Sequence, residues 1–444
     1  MTHSPAHDLE TFFTADDDGA PPRLGSLAAG ISGSQILRIA AEINALKASG
    51  AEVCNLSVGD YAPDQFPVPD ALLEELQQAL AEGATNYPPA TGILELKEAV
   101  CEAYERFFGL RYPTTGTVIT SGARPVVYSL FRAVLERGDV VLNPTPSWNT
   151  HYYTALAEAE NLVIPSLPKD GFLPRREALE PHIRRARVLC LCSPGNPTGT
   201  LFDEPSLRAI NALVLEENAR RAASEERPLF VLYDHVYWPI THGGRAHLTP
   251  VGLDPEMARY TVFVDGISKA FAATGVRVGW AVGPPDIITG MSRFTSHAGA
   301  WAPKPAQLAT ARFLRRLEEC DAALVHLQSA LEARLKTLVD GLETLTARRL
   351  PLRFIAPEGA LYLTLHLDVL GRQTSRGEAL ECNEDIRSYV LEAAGMGIVP
   401  FEAFGCPEPQ ARGWFRLSVG AVSDADIQAL IPRLGAALEG LSSL

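Results

Sequence analysis

The chain has 444 residues, more than one ordinary hydrophobic core accommodates, so two or three structural units are expected. Hydrophobic residues make up 46% and charged residues 21%, a balance that excludes disordered, collagen-like and coiled-coil classes. Lys+Arg total 39 against 53 Asp+Glu, and the net charge of −14 repels phosphate backbones and anionic lipid, which excludes nucleic acid or a membrane as the main partner.

Residues 1 to about 30, rich in Asp, Ala, Pro and Gly, read as a mobile arm without the basic start and apolar run of a secretory signal. No window carries the ~18 uninterrupted apolar residues of a membrane span. After Ser32 and Ser34, ISGSQILRIAAEINALKASG has apolar residues at helical spacing and stops at Gly50, which predicts one amphipathic helix. Short apolar runs then alternate with helical stretches: TGTVITSG, RPVVYSLFRAVLERG, DVVLN, NTHYYTALAEA, LVIPS, RRARVLCLC, EPSLRAINALVLEENARRAA, PLFVLYD and YTVFVDG. This alternation predicts an α/β fold, a mostly parallel sheet with helices on both faces and its functional site at the carboxyl ends of the strands.

From about 303 to 345 the pattern gives one or two long helices. Beyond them LRFIA, ALYLTLHL, GIVPF and WFRLSVG read as strands around a helical DIRSYVLEAAG. These form a smaller α+β domain from the N- and C-terminal segments. The expected division is an arm at 1–30, the first part of the small domain at 31–70, a large domain at 71–320 and the rest of the small domain at 321–444. The seven cysteines are odd in number and scattered, as in a reducing compartment, so the cytoplasm is expected. Cys190 and Cys192 share a strand face with no second pair to complete a metal site, which leaves them a packing role.

Neither G-x-G-x-x-G after the early strands nor G-x-x-x-x-G-K-[ST] occurs, so the common dinucleotide and triphosphate cradles are missing. The stretch GISKAFAATGVRVG, 266–279, instead follows the apolar strand YTVFVD. Lys269 sits there at a strand end among small residues, where desolvation lowers an amine's pKa and frees a nucleophile. Arg277, eight residues on, is a fixed cation suited to phosphate.

The whole stretch resembles the lysine signature of the class I and II pyridoxal-phosphate aminotransferases. Further segments follow in the order of that family: LSVGD with Gly59, NYPPATGILELKEAV with Tyr87, SGARPVVYSL with Gly122, Ala123 and Arg124, PTPSW with Trp148, SPGNPTG with Asn196, YDHVY with Asp234 and Tyr237, and WFRLSVG with Arg416. The resemblance covers the chain from about residue 26 to its end. It implies a Schiff-base role for Lys269, a ring-nitrogen partner in Asp234, ring-oxygen contacts from Asn196 and Tyr237, and ring stacking by Trp148. The cofactor phosphate would lie between Gly122, Ala123 and Arg124, at a helix N-terminus, and Ser268 with Arg277. Gly59, Asn196 and Arg416 would face the substrate, Arg416 gripping its α-carboxylate, and Tyr87 would reach the cofactor phosphate of a second copy, which implies a homodimer.

The implied activity is amino transfer from an L-amino acid to a 2-oxo acid. A decarboxylase, lyase or cyclase on the same cofactor contacts is the alternative, and a non-catalytic regulator, a type that carries an extra DNA-binding domain, is not expected with only about 30 residues ahead of the match and an acidic net charge. Arg124 stands where some relatives carry a lysine that helps receive an acidic side chain, so an aspartate-like donor is expected unless Arg124 serves only the phosphate. His297, Trp301 and Lys304 lie where relatives reach the substrate, with loop packing the plainer role. Phe401 and Glu402 depart from the small residues common before Ala-Phe-Gly, which puts the usual substrate range in doubt.

Overall fold

In the computed structural model, residues 9, 23–31, 33–148 and 150–443 are described. The chain divides into a unit from Met1 to Ser32 and one from Gly33 to Leu444. The arm at 1–30 and Ser32 fall largely outside the described residues; the described part of the first unit holds a short helix, Ser26–Gly30, with no buried side chain.

In the second unit, near-continuous apolar runs become strands that are largely buried on both faces, apart from β3 at the sheet edge, which is mostly half-buried or exposed. They are β1 Thr117–Thr120, β2 Val140–Thr145, β3 Glu160–Pro165, β4 Ala186–Cys192, β5 Phe230–Asp234, β6 Thr261–Gly266 and β7 Gly279–Val282. The sheet runs β1-β7-β6-β5-β4-β2-β3, parallel except where β7 pairs antiparallel with β1 and β6. The strand β7 is hidden in the sequence because it follows the glycine-rich lysine stretch with only four residues of its own. Alternate side chains serve two cores. On one face Val188, Leu232, Val262 and Val264 meet Val126, Leu130 and Phe131 of helix α4 (Arg124–Val134). On the other, Leu189, Val231, Tyr233 and Phe263 meet Leu96, Val100 and Tyr104 of α3 (Leu94–Phe108) and Leu207, Ile210 and Val214 of Glu204–Ala223. Helices α1 (Gln35–Ala48) and α2 (Asp70–Ala81) precede these in the chain.

The long helical stretch resolves into Lys304–Arg315 and Leu317–Ala347, broken at Arg316. The second crosses residue 320 without interruption and buries Leu327, Leu331, Leu335, Leu338, Leu342 and Leu345, each worth about 1.5–3 kcal/mol of transfer free energy. A second sheet is antiparallel, in the order β10-β11-β9-β8, from β8 Leu352–Ile355, β9 Tyr362–Leu367, β10 Val399–Pro400 and β11 Trp414–Ser418. The early segment joins these late elements: Cys54–Asn55 pairs with Met396–Gly397, Ser418 N–H donates to Leu56 O at 2.8 Å, and Ile39 and Ile43 of α1 share a core with Val399 and Phe404.

The start of β7 lies hard against the turn before α4. A Cβ at Gly279 would stand 2.5 Å from the Gly122 carbonyl carbon, and one at Gly122, whose φ is +87°, would run into the Arg277 guanidinium. Gly279→Ala should therefore lower stability by about 1–3 kcal/mol, read as a drop in thermal midpoint. An unchanged midpoint would mean that the turn can move away.

Candidate active site

The carboxyl ends of β4, β5 and β6 open into a cavity of about 550 Å³. Asn196 arrives from the turn after β4, Asp234 is the last residue of β5, and Lys269 stands in a one-turn helix three residues after β6. Gly59, Ala123, Arg124, Trp148, Tyr237, Ser268, Arg277 and Arg416 line the same cavity. Gly122 stands behind it as the space that admits Arg277. Tyr87 does not line it; it is 84% exposed and packs edge-on against Trp301 at 6.0 Å. His297 and Lys304 also lie outside the lining, Lys304 donating to Asn86 Oδ1 at 2.7 Å.

The Lys269 amine donates to Gly59 O at 2.6 Å and lies 5.7 Å from the Tyr61 ring centre. Burial pushes its pKa down to about 8, opposed by Asp60 and reinforced by Arg416, Arg277 and Arg124. Asp234 shifts the other way, to about 6, because burial outweighs the Val236 N–H and the Lys269 charge. Among the described residues no cation lies within ion-pair distance of Asp234.

Arg416, on the central strand β11, is 1% exposed and sandwiched by the Tyr362 and Phe404 rings at 4.7 and 4.8 Å. It donates to Ser57 O and, at 3.2 Å, to Asn196 Oδ1, while its Nε has no partner. Among the described residues no carboxylate pairs with it, so an unneutralised guanidinium faces the cavity. Arg277 likewise bonds only carbonyls, Thr274 O at 2.7 Å and Ser121 O at 2.9 Å, beside the first residues of α4. Arg124 lies over the Trp148 ring at 5.1 Å, again without an acid among the described residues. On Asn196 and Tyr237, the Asn196 amide reaches Tyr237 Oη at 3.5 Å and Tyr237 Oη pairs with Tyr362 Oη at 2.6 Å.

This donor set suits pyridoxal phosphate: a desolvated amine for its aldehyde, a helix start with an acid-free Arg277 for its phosphate, and an unpaired buried carboxylate for its pyridine nitrogen. No group of His, Cys, Asp and Glu among the described residues could hold a metal, and Cys192 Sγ donates to Pro194 O at 3.5 Å as a packing thiol.

The model of the family "Aminotransferase class I and II" matches residues 51–434. The chain belongs to this family. It is a pyridoxal-phosphate-dependent amino-acid aminotransferase, and its relatives do not favour the decarboxylase, lyase or cyclase reading. The aspartate aminotransferase of Rhizobium meliloti strain 1021 is 30% identical over 92% of this chain and 94% of its own. The probable aspartate/prephenate aminotransferase of Thermus aquaticus is 31% identical over 89% and 94%. The solved aspartate aminotransferase from Rhizobium meliloti superposes with a TM-score of 0.85 at 29% identity, over 95% of this chain and all of that one.

The aminotransferase's cavity also uses residues that no motif marked. Tyr362 crowds Gly59, where a Cβ would meet its hydroxyl at 2.6 Å, yet in ALYLTLHL it reads as one more strand residue. Asp60 closes LSVGD itself, and Tyr61, whose hydroxyl donates to Lys269 O at 3.0 Å, follows it directly, so adjacency to that motif was the available signal for Tyr61. Ile36, Leu37, Ala40 and Val58 supply an apolar wall.

The sign of the Asp234 shift gives a test on the cofactor-free aminotransferase. Its folded pKa, about 6, lies above the ordinary 3.8, so its stabilising contribution is full below 3.8 and lost as pH rises through 6. Asp234→Asn should raise the thermal midpoint at pH 8 and raise it less at pH 5. Equal changes at both pH values would contradict the buried-carboxyl assignment.

Proposed function

We propose that Lys269, Asp234 and Arg416 form the working centre of this aminotransferase and that its amino donor is an acidic L-amino acid. The observation that carries this reading is the convergence of an amine and a carboxylate with opposed pKa shifts on an acid-free, buried guanidinium.

When bound, pyridoxal phosphate supplies an electron-accepting ring that eases breaking of the substrate Cα–H bond and carries the amino group between substrates. The chain's part is to bind, orient and move a proton. Ser268, Arg277 and the first amides of α4 would hold the phosphate, with Trp148 offering an aromatic surface to the ring. Asp234 would keep the ring nitrogen protonated by presenting a desolvated anion, and Asn196 and Tyr237 would offer hydrogen bonds to the ring oxygen. Arg416 grips the substrate α-carboxylate, with Gly59 leaving room beside it. Lys269 Nζ, its pKa brought near neutrality, would move a proton between the substrate Cα and the C4′ carbon of the cofactor.

Arg124 supports the acidic donor: it stands at the cavity without a protein carboxylate among the described residues, and the matched relatives are named as aspartate aminotransferases. The exposed Tyr87 supports a homodimer, since it is outside the cavity of its own chain. Seven unpaired cysteines support the cytoplasm. The division into large and small domains is supported by the strands at 117–282 and 352–418 forming separate sheets.

A panel of L-amino acids offered with 2-oxoglutarate should give glutamate and a new oxo acid, fastest from aspartate; carbon dioxide or ammonia without glutamate would refute transamination. Lys269→Ala should abolish turnover, and borohydride should fix cofactor to the Lys269 peptide of the native enzyme alone. Arg124→Gln should raise KM for aspartate about tenfold relative to alanine. An equal rise for both would assign Arg124 to the phosphate.

A further inference from the structure

Beneath the site, on the opposite face of the sheet, lies a buried polar cluster with no part in the chemistry above. His235 directly follows Asp234 and turns its side chain to the other face, where it is fully buried. Its Nε2 lies 2.8 Å from Tyr104 Oη of α3 and 3.8 Å from Asp265 Oδ2 of β6. Its Nδ1 lies 3.3 Å from His247 Nε2, in the loop after β5. The rings of Phe108, Tyr233 and Phe263 close around it, with centroids at 5.2, 5.9 and 4.8 Å.

The backbone is tied as well. His235 N–H donates to Val264 O at 3.2 Å, and Trp238 N–H to His235 O at 2.8 Å. Asp265 Oδ1 accepts the Gly266 N–H at 2.7 Å, at the point where β6 turns into the segment bearing Ser268 and Lys269. His235 therefore touches both strand ends that carry the charged groups of the cavity.

Buried polar groups are costly unless they satisfy one another, and once satisfied they select one arrangement. An uncharged imidazole has one donor and one acceptor, which Tyr104 and His247 use. Burial holds both histidines below their usual range, His247 at about 3, so the cage contains no imidazolium. Burial lifts the Asp265 carboxyl well above the carboxylate range, with Asp234 on the adjacent strand adding to the rise. The cluster is thus a set of neutral hydrogen-bonding groups, suited to fixing geometry.

We propose that His235 is a positioning residue: held through its ring by Tyr104 and His247 and through its backbone N–H by Val264 O, it locks the turn after β5 against the end of β6 and holds the Asp234 carboxylate in a set orientation relative to Lys269. This rests on Asp234 being the partner of the cofactor ring nitrogen.

The test compares holoenzymes of His235→Ala, His235→Gln, Tyr104→Phe and Asp234→Ala by pH titration of the bound cofactor's visible absorption, by kcat and KM, and by thermal unfolding. His235→Ala should move the absorption midpoint by at least about half a pH unit towards that of Asp234→Ala. It should lower kcat about 10- to 100-fold while KM for the donor changes less than about threefold. His235→Gln, which keeps a polar group facing Tyr104, should recover part of both effects. Tyr104→Phe, which deletes one hydrogen bond and keeps the ring, should shift the midpoint in the same direction. If Asp234→Ala moves the titration and Tyr104→Phe does not, the clamp is overturned, whatever the thermal midpoints or the folding of His235→Ala. If Asp234→Ala itself leaves the titration unmoved, the reading of Asp234 fails and this inference with it.

Discussion

A guanidinium taken out of water with no carboxylate against it among the described residues is the constraint on which the rest of this molecule depends. Arg416 has lost its hydration, keeps Nε without a partner, and is held between two aromatic rings on a central strand that cannot swing it back to solvent. Such a charge is tolerated only where a ligand anion completes it. Its two protein hydrogen bonds reach Ser57 in the early segment and Asn196 beyond β4, so three parts of the chain must meet before the cation is held at all. The joining of Cys54–Asn55 to Met396–Gly397 and of Leu56 to Ser418 serves that meeting.

Burial sets the chemistry of the other two charged groups by the same means. It raises an acid and lowers an amine, so the single act of placing Asp234 and Lys269 on neighbouring strand ends beneath a covered cavity brings their pKa values to about 6 and about 8. The arginines around Lys269 lower it further because like charges disfavour the ammonium form. Glycines set the distances: Gly122 and Gly279 let backbone approach backbone, and this brings Arg277 to the first turn of α4.

The sequence made much of this legible, for local reasons. Period-two and uninterrupted apolar runs mark strands such as PLFVLYD and YTVFVDG wherever they fold, and the residues closing those runs had to emerge at the carboxyl edge of a parallel sheet. Lys269 was singled out this way, whereas Asp234 and Asn196 were assigned through the resemblance of YDHVY and SPGNPTG to the family and Arg277 as a fixed cation eight residues beyond the lysine; all four line one cavity. The strand β7 was not legible, because four residues following a glycine-rich turn carry too little pattern. Tyr362 was not, because a tyrosine in an apolar strand looks the same whether its hydroxyl meets a core or a cavity. The buried cluster of His235 was also invisible: Tyr104, His247 and Asp265 lie on three elements with no shared spacing.

Sequence alone therefore determined the layered α/β architecture and which strand ends bear charge, since these follow from neighbours within a few residues, while the cofactor class came from the resemblance of its ordered motifs to a family. Tertiary structure decided which charges stand without a counter-ion, that Arg124 lies over Trp148, and that Tyr87 points away from its own chain's cavity. Pairing and burial between residues a hundred or more positions apart arise from how the sheets and helices come together, and no local pattern encodes them.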